Sequence, residues 1–185
     1  MSAPQDTEKK LQVYERLLIK WSKSINLVSK STIPYIRERH FQDSMQLIPF
    51  LKRDDSIIDI GSGAGFPGMV LAIYGFKVTL LDSDEKKCVF LENVSRETNT
   101  RVDIVCDRME NFVPLKPFDV VCSRGVAVLK KLIVGSKKLV REGSSRGLFL
   151  KGERIDLEID PTIMDRIAKI ESLKTLGSYI IQYQF

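Results

Sequence analysis

Between residues 56 and 151 the chain repeats one alternation. A short apolar run gives way to a glycine or polar break, then to a stretch whose apolar positions recur every three or four residues. The runs at 56–60, 77–82, 118–123 and 147–151 are almost unbroken, and a weaker one lies at 102–106. Continuous apolar runs of this length suit parallel strands covered on both faces, because each side chain, pointing up or down, meets a helix. Helical periodicity falls at 67–75, 85–98, 126–141 and 162–173. The alternation predicts right-handed βαβ units and a doubly wound, mostly parallel α/β sheet of Rossmann-like type. Ser178 to Phe185 predicts one last strand.

The chain ahead of residue 55 follows a different rhythm. Leu11, Tyr14, Leu17, Leu18 and Trp21 recur at helical spacing, with Lys9, Lys10, Arg16, Lys20 and Lys23 between them. This predicts an amphipathic helix over 6–23, with Tyr14 and Trp21 in its core face. A short helix is expected at 33–40, and another starts near Asp43 or Ser44, either of which can act as N-cap. Pro49 and the charged Lys52-Arg53-Asp54-Asp55 close the region, and no flexible linker follows. Residues 1–54 therefore read as a helical cap on a core of 55–185, the whole forming a single domain.

Composition narrows the class. Apolar content of 43% and charged content of 29% are ordinary for a soluble globular chain. The first ten residues lack a signal-peptide core, and no apolar run reaches the roughly 18 residues of a membrane span. A cytoplasmic, monomeric protein is expected. Cys88, Cys106 and Cys122 have no metal-type spacing and read as small buried residues in a reducing compartment, so no metal site is expected. The net charge of +5 is unevenly placed. Residues 1–53 hold ten Lys/Arg against five Asp/Glu, whereas 54–185 hold nineteen of each. That asymmetry suits a polyanionic partner, although a solvated lysine-rich helix face accounts for it equally well on charge alone.

Ligands of a doubly wound sheet bind outside the carboxyl ends of its strands. Those ends carry Asp59 to Gly65, Asp82-Ser83, Cys106 to Glu110, Ser123-Arg124 and Lys151-Gly152. The first is the richest: Ile57 to Gly65 reads as an apolar strand entering a glycine turn, and Asp82 closes the next strand 21 residues past Gly61. Glycines admit close approach to a ligand, and such an acid accepts hydrogen bonds from ribose hydroxyls, so the pair describes an adenosine pocket. Gly63-Ala64-Gly65-Phe66-Pro67-Gly68 satisfies the dinucleotide spacing, yet Gly61 is the residue directly after the strand. Counted from Gly61, the third glycine comes one residue early and Phe66 stands in its expected place.

Asp59-x-Gly61-x-Gly63-x-Gly65, with Ser62 inside it, resembles the first motif of class I S-adenosylmethionine-dependent methyltransferases. A closer resemblance rests on Trp21-Ser-Lys…Asn26-Leu-Val, Arg39-His40-Phe-Gln-Asp43-Ser44, Ile58 to Gly68, Leu80-Leu-Asp-Ser83, Cys122-Ser-Arg124 and Leu150-Lys-Gly152. In this order, over roughly residues 10–153, these segments are similar to the ribosomal RNA small-subunit methyltransferase G family, also called glucose-inhibited division protein B. The resemblance implies S-adenosyl-L-methionine as cofactor and N7 methylation of a guanine in 16S ribosomal RNA. It also implies cofactor contacts from Asp59, Gly61, Ser62, Gly63, Gly65, Phe66, Asp82, Met109, Glu110 and Arg124. Arg39, His40, Asp43, Ser123 and Lys151 are the candidate RNA contacts. Only about 34 residues follow Lys151, enough for a helix and one clear strand, so the expected terminal strand pair is abbreviated or lacks its edge strand.

Guanine N7 carries a lone pair and no proton, so no general base is needed, and none is assigned. Arg124 is expected beside cofactor and target, or else in an ion pair with Asp107 or Glu110 that shapes the loop. His40, the only histidine, reads as a polar cap residue or an RNA contact. Two rivals remain: a non-catalytic RNA-binding or assembly factor with a relict pocket, and a small NAD-dependent oxidoreductase, for which no Tyr-x-x-x-Lys pair is present.

Overall fold

The computed structural model describes residues 5–172 and 177–185. Its centre is a seven-stranded sheet with strands β1 (Ser56–Ile60), β2 (Lys77–Asp82), β3 (Asp103–Cys106), β4 (Val120–Arg124), β5 (Arg146–Lys151), β6 (Ile167–Glu171) and β7 (Tyr179–Gln184). The order is β3-β2-β1-β4-β5-β7-β6. The first five strands are parallel, and β7 runs antiparallel between β5 and β6. Strand order reverses between β1 and β4, and the crevice at that switch point is where such sheets bind ligands.

Helices α1 (Gln5–Trp21), α3 (Gly68–Ile73) and α4 (Glu85–Glu97) contribute to one apolar cluster, which also takes in Ile36, Phe41 and Leu47 from the N-terminal region. Between α1 and β1 the chain makes short turns, with helical geometry at Lys30–Tyr35, Arg37–Gln42, α2 (Asp43–Met45) and Ile48–Phe50. Asp84 starts α4 by accepting from the backbone N–H groups of Lys86 and Lys87. Helix α5 (Leu129–Ser136) contributes to a second cluster with Ile58, Ile60, Leu81, Val121, Phe149 and Ile181. The alternate residues of β1 divide accordingly, Ile57 to the first cluster and Ile58 to the second, as a sheet buried on both faces requires.

The expected helix at 162–173 is replaced. Residues Pro161–Arg166 form a tight 3-10 turn begun by Asp160, whose carboxylate accepts from the Thr162 N–H, and Ile167–Glu171 form edge strand β6. Leu173, the last residue of that expected helix, lies outside the described residues. Ile167 and Ile170 are three apart, which mimics helical periodicity, yet in a strand this spacing sends them to opposite faces. Ile167 packs on the second cluster and Ile170 on the first. The expectation of an abbreviated hairpin or a missing edge strand is corrected by the same observation: β6 and β7 pair over five residues, since the stretch expected as a helix supplies the 3-10 turn Pro161–Arg166 and then strand β6. Cys88 and Cys122 are buried, but Cys106 is exposed because β3 is the other edge of the sheet. Among the described residues no helix is long and apolar enough to cross a membrane.

Candidate active site

Strand β1 ends in the glycine loop, which is tied to the neighbouring strand at once. The N–H groups of Gly61 and Ser62 donate to the Leu81 carbonyl at 2.7 and 3.1 Å. Inside the loop, Gly65 and Phe66 donate to the Ser62 carbonyl at 2.7 and 3.2 Å. Asp82 closes β2 beneath it. One carboxylate oxygen accepts from the Gly63 N–H at 2.7 Å and the other from the Asp84 N–H at 3.0 Å. Each oxygen keeps lone pairs for a further donor.

A cavity of about 490 Å³ opens between these elements, within the range of small-molecule sites. Gly61, Ser62, Gly63 and Phe66 wall it on one side, Asp82 and Ser83 at the strand end, Met109 and Glu110 opposite, and Arg124 to Ala127 from the β4 side. Gly63 has φ +57°, and a Cβ built on it meets nothing nearer than the Gly61 carbonyl at 3.8 Å. Gly63 therefore lines the cavity with backbone alone, and its positive φ favours glycine there. The residues present therefore fit an adenosine-type cofactor: a bare backbone cradle, a carboxylate with free acceptor capacity, and a facing wall that is apolar at Met109.

Asp59 and Gly65 stand behind this wall. Asp59 is fully buried and accepts from the Gly68 N–H at 2.9 Å, which ties the start of α3 to β1. Burial pushes its carboxyl up to about 7, opposed by the Gly68 N–H. Its other oxygen is buried without a hydrogen-bond partner. Asp59 thus shapes the loop from inside.

Phe66 is the hub of an aromatic cluster. Tyr14 stacks on it at 5.5 Å, His40 at 4.9 Å with the rings 17° apart, and the Arg124 guanidinium lies 4.7 Å from its centroid. Arg124 is 3.7 Å from Asp43 and donates to the Arg39 carbonyl at 3.2 Å. The anticipated ion pair with Asp107 or Glu110 is thus replaced by Asp43, because the N-terminal turns fold over the end of β4. Burial raises the Asp43 carboxyl against the pull of Arg124, and burial lowers the Arg124 guanidinium, which stays a cation. His40 is buried, its Nε2 lies 3.0 Å from the Thr32 hydroxyl, and its Nδ1 has no partner. Burial, then Arg124 and Arg39, lowers it to about 3, so the ring is neutral at physiological pH.

Of the residues expected to meet RNA, Arg39 alone is exposed. His40 and Asp43 are packed beneath the surface as described. Ser123 is corrected: it is buried and donates to the Ile60 carbonyl at 2.9 Å, an internal tie between β4 and β1. Lys151 is corrected as well. Its side chain is 8% exposed, its ammonium sits 2.6 Å from Glu158, and it donates to the Ala127 carbonyl at 2.8 Å. Glu158 also accepts from the Leu129 N–H at 2.7 Å, at the start of α5. Lys151 and Glu158 therefore brace the Arg124–Ala127 wall, with the Lys151 ammonium turned to Glu158 and the Ala127 carbonyl and largely shielded from solvent. Sequence reasoning missed this pair, because Glu158 lies between the Lys151-Gly152 loop and the helix expected at 162–173, in a stretch assigned no element. It also missed Lys87, Val126 and Lys131 in the cavity lining, which carry no motif.

Comparison with known proteins identifies the family. The family model for rRNA small subunit methyltransferase G matches residues 7–175. The curated Ribosomal RNA small subunit methyltransferase G of Paramagnetospirillum magneticum is 38% identical over 182 residues, covering 96% of this chain and 88% of the relative. That of Rickettsia typhi is 37% identical over 195 residues, covering 97% of this chain and all of the relative. Among solved structures, magnesium protoporphyrin IX methyltransferase from Synechocystis with bound S-adenosylmethionine superposes with a TM-score of 0.67 at 15% identity over the whole of both chains. An rRNA methylase from Streptococcus thermophilus does so at 0.54 and 14%, covering 78% of this chain and 91% of that one. The fold is thus the Rossmann-like one of class I methyltransferases, and the chain belongs to the rRNA small subunit methyltransferase G family.

Proposed function

We propose that the protein transfers a methyl group from S-adenosyl-L-methionine to N7 of a guanine in 16S ribosomal RNA. It would do so in the cytoplasm, with the N-terminal turns and the sheet working as one domain. The observation that carries this reading is the cavity bounded by the bare Gly63 backbone, the Asp82 carboxylate and the Met109–Glu110 wall. Asp82 would hold the ribose hydroxyls with the lone pairs that Gly63 and Asp84 leave free, and Met109 would lie against the adenine. When bound, the cofactor supplies a methyl group already activated by its sulfonium centre.

The chain's own work is then placement. N7 has no proton to remove, and His40, buried against Phe66 with its pKa lowered to about 3, is neither positioned nor basic enough to act as a base. Arg124, held by Asp43 and by the Phe66 face, presents N–H donors at the edge of the cavity, where they would orient the base. It cannot grip guanine through both O6 and N7, since N7 must stay open to react. The target base would enter unstacked, and exposed Arg39, Lys20 and Lys23 on the N-terminal side would meet phosphates.

The test is methyl transfer from isotopically labelled S-adenosylmethionine to 16S RNA and to small subunits, with the label located by nucleoside mass spectrometry. Labelled 7-methylguanosine is expected, and Asp82→Ala should abolish it while leaving the fold intact. RNA binding that weakens with salt but yields no labelled nucleoside would favour a non-catalytic factor.

A further inference from the structure

Besides the Leu81 carbonyl, two side chains from other elements hold the glycine loop. One is Asp82, on the sheet side, through the Gly63 N–H. The other comes from the N-terminal helix: the Tyr14 hydroxyl donates to the carbonyl of Ala64, at the apex of the loop. Tyr14 is fully buried, and its ring is spent on packing, stacked on Phe41 at 5.2 Å and Phe66 at 5.5 Å. Its hydroxyl is spent on the loop. Burial pushes the phenol well above its usual value, so it is a permanent donor.

The third glycine of the motif shows how deeply Tyr14 is built in. Gly65 has φ +95°, and a Cβ built there comes within 2.5 Å of the Tyr14 hydroxyl, 2.8 Å of Met69 Cβ and 2.9 Å of Leu91 Cδ2. Gly65 does not line the cavity. Gly63 lines the cavity with backbone alone, whereas Gly65 is bare so that Tyr14 can reach the loop.

We propose that Tyr14 is a positioning residue of the cofactor site, whose hydroxyl orients the Ala64 peptide and so sets the loop conformation in which the methyl donor binds. This rests on the reading of the cavity as a methyl-donor pocket. It makes the N-terminal helix part of the cofactor site as well as a candidate RNA-docking element. Phe66 carries the same influence to the other wall, since the ring that Tyr14 stacks on also bears Arg124.

The variant Tyr14→Phe removes one oxygen and keeps the ring. Its affinity for S-adenosylhomocysteine, measured by calorimetry, should fall about tenfold, as expected when one buried acceptor loses its partner. Amide hydrogen exchange of residues 61–66 should quicken while that of β5 does not change. The control is Leu18→Ala, which empties a fully buried site in the same cluster without touching Ala64. It should lower thermal stability at least as much yet leave the affinity within about twofold of the parent, since no tie to the loop is lost. The proposal is overturned if Tyr14→Phe binds like the parent, if exchange at 61–66 is unchanged, or if Leu18→Ala weakens binding equally. If the parent protein does not bind S-adenosylhomocysteine, the methyl-donor reading fails by itself, and the exchange experiment still decides whether Tyr14 holds the loop.

Discussion

The two faces of the sheet are covered in different ways. On the face of α1, α3 and α4, helices and N-terminal turns interlock around fully buried Tyr14, Leu18, Met69, Leu71 and Phe90. The connections that serve the other face are thin. Between β3 and β4 the described chain forms no helix, β4 to β5 has only the eight residues of α5 and one 3-10 turn, and β5 to β6 has two 3-10 turns. Among the described residues, seven of the ten exposed large apolar ones lie in these three connections: Val113, Leu115, Val126, Val128, Val134, Leu157 and Met164. The cavity sits between the two regimes. Its glycine-loop wall is backed by packing and buried rings in addition to the Tyr14 and Asp82 hydrogen bonds, and its Arg124–Ala127 wall chiefly by a few polar ties. Packing resists small changes because many weak contacts act together, whereas a polar tie fails when one atom is removed.

The largest effect expected on this contrast comes from Phe66→Ala. It deletes the ring shared by Tyr14, His40 and Arg124 and should cost about 3–5 kcal/mol in denaturant unfolding. A loss under about 1 kcal/mol would show that the aromatic hub is not what holds the packed wall.

The braced wall is broken by Lys151→Met, which strands Glu158 and the Ala127 carbonyl. The pair is only partly shielded, with Glu158 21% exposed, so a loss of about 2 kcal/mol is expected. The double variant Lys151→Met/Glu158→Gln should recover part of it, since Gln still accepts from Leu129 and no unpaired charge remains. Additive losses in a double-mutant cycle would show that the two residues do not act as a unit.

The packed face should also answer to pH, with opposite signs from two groups. His40 has a folded value near 3 against an ordinary 6.5, so the unfolded chain takes up its proton first, and His40 costs stability as pH falls from about 6.5 towards 3. Asp59 has a folded value near 7 against an ordinary 3.8, so its contribution is present at low pH and is lost as pH rises through 7. Unfolding free energies of His40→Gln and Asp59→Asn, each compared with the parent from pH 4 to 8, should diverge in opposite directions. Parallel curves would remove burial as the cause of both shifts. The smallest effect belongs to the thin face: Leu157→Ser, at a side chain 86% exposed, should change stability by no more than about 0.5 kcal/mol.

Several features were legible before any coordinates. The strands β1 to β5, the glycine loop and the acid closing β2 follow from local rules: apolar runs, turn chemistry and a fixed spacing. For the same reason eight of the ten residues expected to touch cofactor line the cavity, Asp59 and Gly65 being the exceptions. The C-terminal edge was not legible. Ile167 and Ile170 fit a helix and a strand equally well on spacing, and pairing with β7 supplied the deciding hydrogen bonds.

The sequence by itself determined the fold class and the position of the pocket, because alternating periodicity and strand-end residues are encoded over a few neighbouring positions. Only the tertiary structure decided which polar groups were free to meet a ligand. Ser123 and Lys151 stand at strand ends, as binding residues do, yet one satisfies the Ile60 carbonyl and the other is held by Glu158 and the Ala127 carbonyl. Tyr14 reads as core, yet its hydroxyl reaches fifty residues along the chain to hold the loop. A buried polar atom must find a partner wherever the fold brings one within reach, and that partner can come from any part of the chain.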